Sequence, residues 1–513
     1  MLLQTGHIFE RLTKGLGEFL VKARFKVEGR SAVTQQEAYE WPSYGVNGAF
    51  PDEMVPEPSP IDPHRLPPTV LHVPAKDVEE FRATIVARYL SQLATEAPRQ
   101  LLHSMQHPHL QSITDAEFVR IIEDTPFSRF LNPTLDPKDL DFFAPILAQR
   151  DPEGAGQLFK VDFSLMERLE RLEGIHTAAT VTLFEHVEGK PTQAVAIRIG
   201  DLLLTPNDGA AWELARYFVL QGAHLCMVLC VHPRLHFPFD CVNALTATEL
   251  LEGHVLRELL MPHFYNHLPL NYGVLYSDRS VAHNHQKEPY SPFPCTREGN
   301  FESIAIGYDG LEGNSSFPKF RFRMGDPEVH SDYGVFLVAY YAVLRRHVTR
   351  VLAHVDAAND PHVAQWADRI ASMLPGFPDA REIAKPGVLV EAVTTIIGSV
   401  ALEHSTDHHA YSRESVNTIP WRLRVPAPTS ADIAPLDYRR LVLREDIFRH
   451  RMCRLMFFES VTTRRLVDVE YNFPNTEMAG LTAVFQQELR DLDANLPTRR
   501  FIPLEEIAVS LQF

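Results

Sequence analysis

Across residues 388–411 apolar side chains recur at Val388, Val390, Val393, Ile396, Ile397, Val400, Ala401 and Leu402, a density that predicts a buried helix. Helical spacing also predicts helices over 77–95, 115–124, 137–149, 211–216, 334–357, 361–373 and 479–496, and, with breaks, over 434–460. Between 180 and 204 β-branched residues gather in Val181-Thr182-Leu183-Phe184 and in Ala194-Val195-Ala196-Ile197, interrupted by Gly189-Lys190-Pro191, which predicts a short antiparallel ribbon. Residues 276–330 have Gly and Pro clusters and little period, so they read as loop. The first 30 residues can form a charged amphipathic helix, and 41–74 is too rich in proline for regular structure. The expected organisation is a proline-rich arm over 1–75 followed by one domain over 76–513, mainly α with a minor antiparallel β element.

Composition narrows the function. With 513 residues and 45% hydrophobic content the chain can bury a large core. A formal net charge of −17 and the lack of Lys/Arg-rich runs exclude a nucleic-acid footprint. Five cysteines without CxxC spacing suggest neither a disulfide framework nor a cysteine zinc site, and the expected compartment is a reducing cytoplasm. The longest uninterrupted apolar run in the middle of the chain, residues 225–231, is too short to span a bilayer, and the charged N-terminus does not suit a signal peptide, so no transmembrane segment is expected.

Histidine then changes the picture. His404 and His408 fall four apart on the expected buried helix, close enough on one face to share an ion. Glu403 and Asp407 are turned away from that stripe by the helical period, and His409 points elsewhere. His232 and His236 repeat the spacing, with Asp240 four residues on as a partner behind the ligands. Pro233 and Pro238 suit a helix start or a bend better than a helix interior, and hydrogen-bonded core histidines are the blander reading of this pair. Nitrogen and carboxylate donors suit Fe, Zn, Cu or Ni alike. The apolar tail Ile507-Ala508-Val509-Ser510-Leu511-Gln512-Phe513 either packs on the domain or carries a carboxylate inward to a cation.

Trp212-Glu213-Leu214-Ala215-Arg216, the histidines ending at 236, Gly253-His254 through Pro262-His263 and on to Asn271, Ala401-Leu402-Glu403-His404 through His408, and the ending from Ile507 to Phe513 together resemble the catalytic domain of lipoxygenases. The likeness covers roughly 205–280 and 385–513. It departs from the family in having four rather than five residues between the first two histidines, Val255 after His254, no evident N-terminal β-sandwich, and a shorter chain. The resemblance implies a lipoxygenase-like helical catalytic domain in which His232, His236, His404, His408 and the Phe513 carboxylate hold non-haem iron, or manganese. No catalytic group beyond that centre is implied. Hydrogen would be taken from a bis-allylic carbon of a polyunsaturated fatty acid or related lipid, and O2 would add to give a hydroperoxide. Asp240 would stand behind the ligands, Asn271 would contribute to the cavity wall, and Gly273 or Val274 would occupy the region that influences which face oxygen attacks. His224 and His254 would be structural. Two other readings stay open: the same fold and metal acting on a small secondary metabolite or oxidised lipid, and a metal-free binding protein on the same scaffold.

Overall fold

The computed structural model describes residues 98–149, 156–276, 280–309, 332–374, 376–412, 416–458, 464–496 and 502–511, together with Phe81 and Thr84. The expected arm over 1–75 and most of the helix expected over 77–95 lie outside the described residues. The described chain is mainly α, with one small antiparallel sheet.

Helix α1 (Asp115–Glu123) is started by a reciprocal cap between Thr114 and Glu117, and α2 (Pro137–Leu147) by one between Asp136 and Asp139 with proline in its first turn. The strands β1 (Gln157–Asp162), β2 (Thr180–His186), β3 (Gln193–Ile199) and β4 (Leu202–Leu204) form a meander in chain order. The expected ribbon is β2 with β3. β1 lies outside it because its Lys160 masks a strand pattern: the ammonium turns inward to Asp139 at 2.5 Å and Asp136 at 3.2 Å. Both sheet faces are covered, Val181, Leu183 and Ala196 packing on Phe143, and Phe184 stacking on Phe118 at 5.9 Å.

Under the sheet runs α3 (Gly209–Leu225), buried at every position from Leu214 to Leu225, as a helix apolar on all sides must be. A π-helical segment, Cys226–Val231, continues it, followed by the single turn Pro233–His236 and α4 (Pro238–Glu249). Then come α5 (His267–Tyr276), α6 (Arg297–Asp309), α7 (Asp332–Leu352), α8 (Pro361–Met373) and α9 (Val388–Ile397). A second π-helical segment, Gly398–Glu403, joins α9 to α10 (His404–Ser412). α11 (Arg444–Cys453) runs into a third, Arg454–Phe458, and α12 (Thr476–Asn495) precedes the tail.

Two apolar cores result. One gathers the sheet, α1, α3 and the first π segment; the other gathers α7, α8, α9, α12 and the tail residues Ile507, Val509 and Leu511. Each supplies a histidine-bearing element.

The loop expected over 276–330 is corrected within its described part by α6 and by a short turn, Val281–His283. The helix carries Gly299, Asn300, Ser303 and Gly307 on buried positions, so small and polar residues hide its period. Those glycines are needed: a Cβ on Gly307 would stand 2.2 Å from the Cys230 carbonyl oxygen, and one on Gly299 2.3 Å from that of Glu170. Two helical stretches, Pro206–Glu249 and Val388–His408, are long and apolar enough to cross a membrane by length and composition, although no uninterrupted run is, and both are largely buried within the protein. The five cysteines are free and buried.

Candidate metal centre

The two histidine pairs meet. His232 and His236 bring their Nε2 atoms to 2.9 Å, His236 and His404 to 3.0 Å, and His232 and His408 to 3.2 Å. The four ligand-type nitrogens lie within 4.8 Å of one another, and all four residues are buried. His224 stands apart, packed on Trp421 at 4.3 Å, and His254 donates to Asp360 at 2.9 Å while its other nitrogen caps the helix starting at Val255.

The local chain explains the convergence. A π turn holds one residue more than an α turn, which re-aims whatever follows. The His232 amide donates to the Met227 carbonyl, five residues back, at 2.8 Å. Pro233 and Pro238 each open the next helical piece at its first turn, where a missing N–H is no loss, so the prolines segment the helix without dispersing the pair. Gly398–Glu403 plays the same part before His404.

Hydrogen bonds set the tautomers. Asn271 Nδ2 donates to Asp240 Oδ1 at 2.6 Å, and a carboxylate can only accept, so Asn271 Oδ1 faces His236 Nδ1 at 2.8 Å and receives its proton. His236 Nε2 is therefore a lone pair. On the other side Asp407 Oδ2 stands 3.4 Å from His232 Nδ1, which likewise leaves His232 Nε2 as a lone pair. Burial, reinforced by the neighbouring histidines, keeps His236 and His404 well below the usual imidazole range, so they stay neutral. Lone pairs facing each other at such distances repel unless a cation lies between them. Imidazole nitrogens bound at about 2.1 Å and right angles around one ion stand about 3 Å apart, which is the spacing found here. The donor set fits a borderline transition metal.

Asp240 reaches His236 only through Asn271. Asn271 differs from its expected place in the cavity wall: it holds His236 from behind. The helical period turns Asp407 away from the His404/His408 stripe, and its carboxylate instead reaches His232, a partner on another element that periodicity along one helix cannot show. Arg129, which donates to Asp407 Oδ1 at 3.1 Å, carries no local sequence signal at all. Gly273 and Val274 both line a cavity of about 340 Å³ onto which His232, His236 and His408 also open, with Leu229, Phe237, Ile304 and Phe458 among its apolar walls.

The tail passes beside the centre. His263 Nδ1 donates to the Val509 carbonyl at 2.8 Å, and Ser510 Oγ donates to the Tyr265 carbonyl at 2.9 Å. Gln512 and Phe513 lie outside the described residues, and the expected Phe513 carboxylate with them.

Among solved structures, a LOX deletion form crystallised with arachidonate matches 96% of this chain and 82% of its own, with a TM-score of 0.69 at 14% identity. A coral 8R-lipoxygenase matches 94% and 80%, at a TM-score of 0.67 and 13% identity. The chain has the lipoxygenase fold. A manganese lipoxygenase shares that fold with a TM-score of 0.63 and 16% identity over 85% of this chain and 91% of its own. No family model and no curated protein matches the sequence. The lipoxygenase fold thus comes with little sequence in common, and the four-histidine group lies at the heart of it.

Proposed function

We propose that the protein is a non-haem metal oxygenase that inserts O2 into a polyunsaturated fatty acid or a related lipid. His232, His236, His404 and His408 would hold iron, or manganese, with the Phe513 carboxylate as a fifth donor. The observation that carries this reading is the meeting of four buried imidazoles at the wall of an apolar cavity, in a chain with the lipoxygenase fold. The arachidonate seen with the LOX deletion form supports a fatty-acid ligand.

Each part of the site then has a task. A redox-active metal at this set would supply the one-electron chemistry that removes a hydrogen from a bis-allylic carbon. The Asp240–Asn271–His236 chain keeps His236 in the Nδ1–H tautomer, and Asp407 does the same for His232, so both present lone pairs without reorganisation. The apolar walls exclude water and accept a hydrocarbon chain, while Gly273 leaves room beside Val274 for a small molecule such as O2.

Elemental analysis of purified protein, combined with oxygen uptake on a panel of C18 and C20 polyunsaturated fatty acids, tests the reading. Stoichiometric iron or manganese with uptake on at least one fatty acid is expected. Metal without uptake would move the substrate to a secondary metabolite or an already oxidised lipid, and protein from metal-replete cells lacking any transition metal would overturn the oxygenase reading.

A further inference from the structure

We infer that Arg129 and Asp407 form a positioning pair that sets the orientation and donor strength of His232, an inference that rests on the metal-centre reading above. Asp407 is fully buried on α10, between His404 and His408, yet its carboxylate is spent on neither. One oxygen faces His232 Nδ1 at 3.4 Å and the other accepts from Arg129 Nη2 at 3.1 Å. A buried carboxylate without a cation would be strongly destabilising, so Arg129 is what allows a negative charge to stand behind the imidazole.

Arg129 is itself held in place. It belongs to the short turn Pro126–Phe130, between α1 and the sheet, and its Nε donates to the Pro126 carbonyl at 3.1 Å. Its Nη2 also donates to the Tyr333 hydroxyl at 3.1 Å. That hydroxyl passes its own proton to Thr406 Oγ1 at 2.8 Å, and Thr406 in turn donates to the Glu403 carbonyl at 2.7 Å, in the last turn before His404. The sequence of donors therefore runs in one direction, from a segment outside the histidine-bearing helices into the helix that carries half of the set. Glu403, whose carboxylate stands 3.8 Å from the same guanidinium, is a more distant partner than Asp407.

The physical effect follows from where the charge sits. A carboxylate on Nδ1–H draws that proton toward itself, raises electron density on Nε2 and makes His232 a stronger donor than an imidazole bonded to an amide, as His236 is. His232 is thereby distinguished from His236 within one cluster. The ion pair also fixes the ring plane, because Asp407 can satisfy both Arg129 and His232 only in one rotamer.

Equilibrium binding of Mn²⁺ and of Fe²⁺ alone to the full-length protein, with the midpoint potential of the iron-loaded form, tests the pair. Asp407→Asn keeps the shape and an acceptor oxygen but removes the charge. It is expected to weaken metal affinity about 10- to 100-fold and to raise the potential, since the higher oxidation state loses the stronger donor. Arg129→Met should weaken affinity comparably, and Arg129→Lys should recover part of it. Combined, Asp407→Asn and Arg129→Met should lose little more than either alone, because both act through His232. Unchanged affinity and potential in Asp407→Asn, or strictly additive losses in the double variant, would overturn the inference and reduce the pair to a structural ion pair. If Arg129→Met does not fold, the Asn and Lys variants decide alone. Wild-type protein that binds neither metal would overturn the metal-centre reading itself, and the inference with it.

Discussion

Ser405 Oγ accepts the backbone amide of Ala508 at 3.0 Å, so the tail is hydrogen-bonded to the residue that follows His404. Around that contact the Leu466 amide donates to the Ile507 carbonyl at 2.8 Å and the Val509 amide to the Arg464 carbonyl at 3.0 Å. The tail is thus held between α10 and the segment 464–466, and its last described residue, Leu511, is buried.

A tag added after Phe513 would turn its carboxylate into an amide. Metal content should fall about tenfold or more relative to the same tag placed before Met1. Elemental analysis of the two tagged forms decides it, and equal content would remove Phe513 from the site and leave four histidines.

His236→Ala and His404→Ala should each empty the centre, whereas His224→Ala and His254→Ala should leave metal bound and lower stability. His224 fills a buried aromatic cluster with Trp421 and His450, so its truncation leaves a cavity costing about 2–4 kcal/mol. Metal analysis alongside chemical denaturation separates the two classes; retained metal in His236→Ala would reassign the first pair.

Gly307→Ala tests the packing of α6 on the first π segment. With a Cβ 2.2 Å from the Cys230 carbonyl oxygen, one of the two must move, at about 1–3 kcal/mol. The variant should melt lower and bind metal more weakly than wild type, since the displaced backbone leads to His232. An unchanged melting temperature would show that α6 can retreat freely.

Acid should weaken the fold through histidines remote from the centre. Burial depresses His263 to about 4 and His347 to about 3, from an ordinary 6.5. A base depressed in the folded state is protonated first in the unfolded chain, so the stability of keeping it neutral is whole above pH 6.5. It is lost as pH falls from 6.5 toward 4 for His263 and toward 3 for His347, on the order of 3 kcal/mol for the first and about 5 kcal/mol for the second. His347 stacks on Phe485 at 4.2 Å and neither of its ring nitrogens meets a partner among the described residues, so His347→Phe should flatten part of the slope. Unfolding free energies between pH 7.5 and 4 measure it; a parallel slope in the variant would exclude His347 as a source.

Much of this was legible because local rules and global packing agree. Residues 361–373 form the expected helix as Asp360 caps it, Pro361 opens it and Val363, Trp366, Ala367 and Ile370 share one buried face. His404 and His408 were legible for the same reason. The helix Arg297–Asp309 was not, since Gly299, Asn300, Ser303 and Gly307 are buried among its apolar Phe301, Ile304 and Ile306 and blur the hydrophobic period. Nor were the roles of Arg129, Asp407 and Asn271, which depend on partners between 31 and 278 residues away. Periodicity describes one helix at a time, and these contacts exist only between elements.

The π turns before His232 and His404 also change what kind of mutation the centre can survive. Cys226–Val231 is defined by how many residues it holds more than by which. Substituting one buried apolar residue for another of similar volume leaves the count intact. Removing any single residue would return the ladder to ordinary α pairing and swing everything after it by about 100°. His232 would then leave its partners although no ligand had been altered. In an alignment of descendants this stretch would drift in letters while its length stayed fixed, so the memory of the site is kept in spacing.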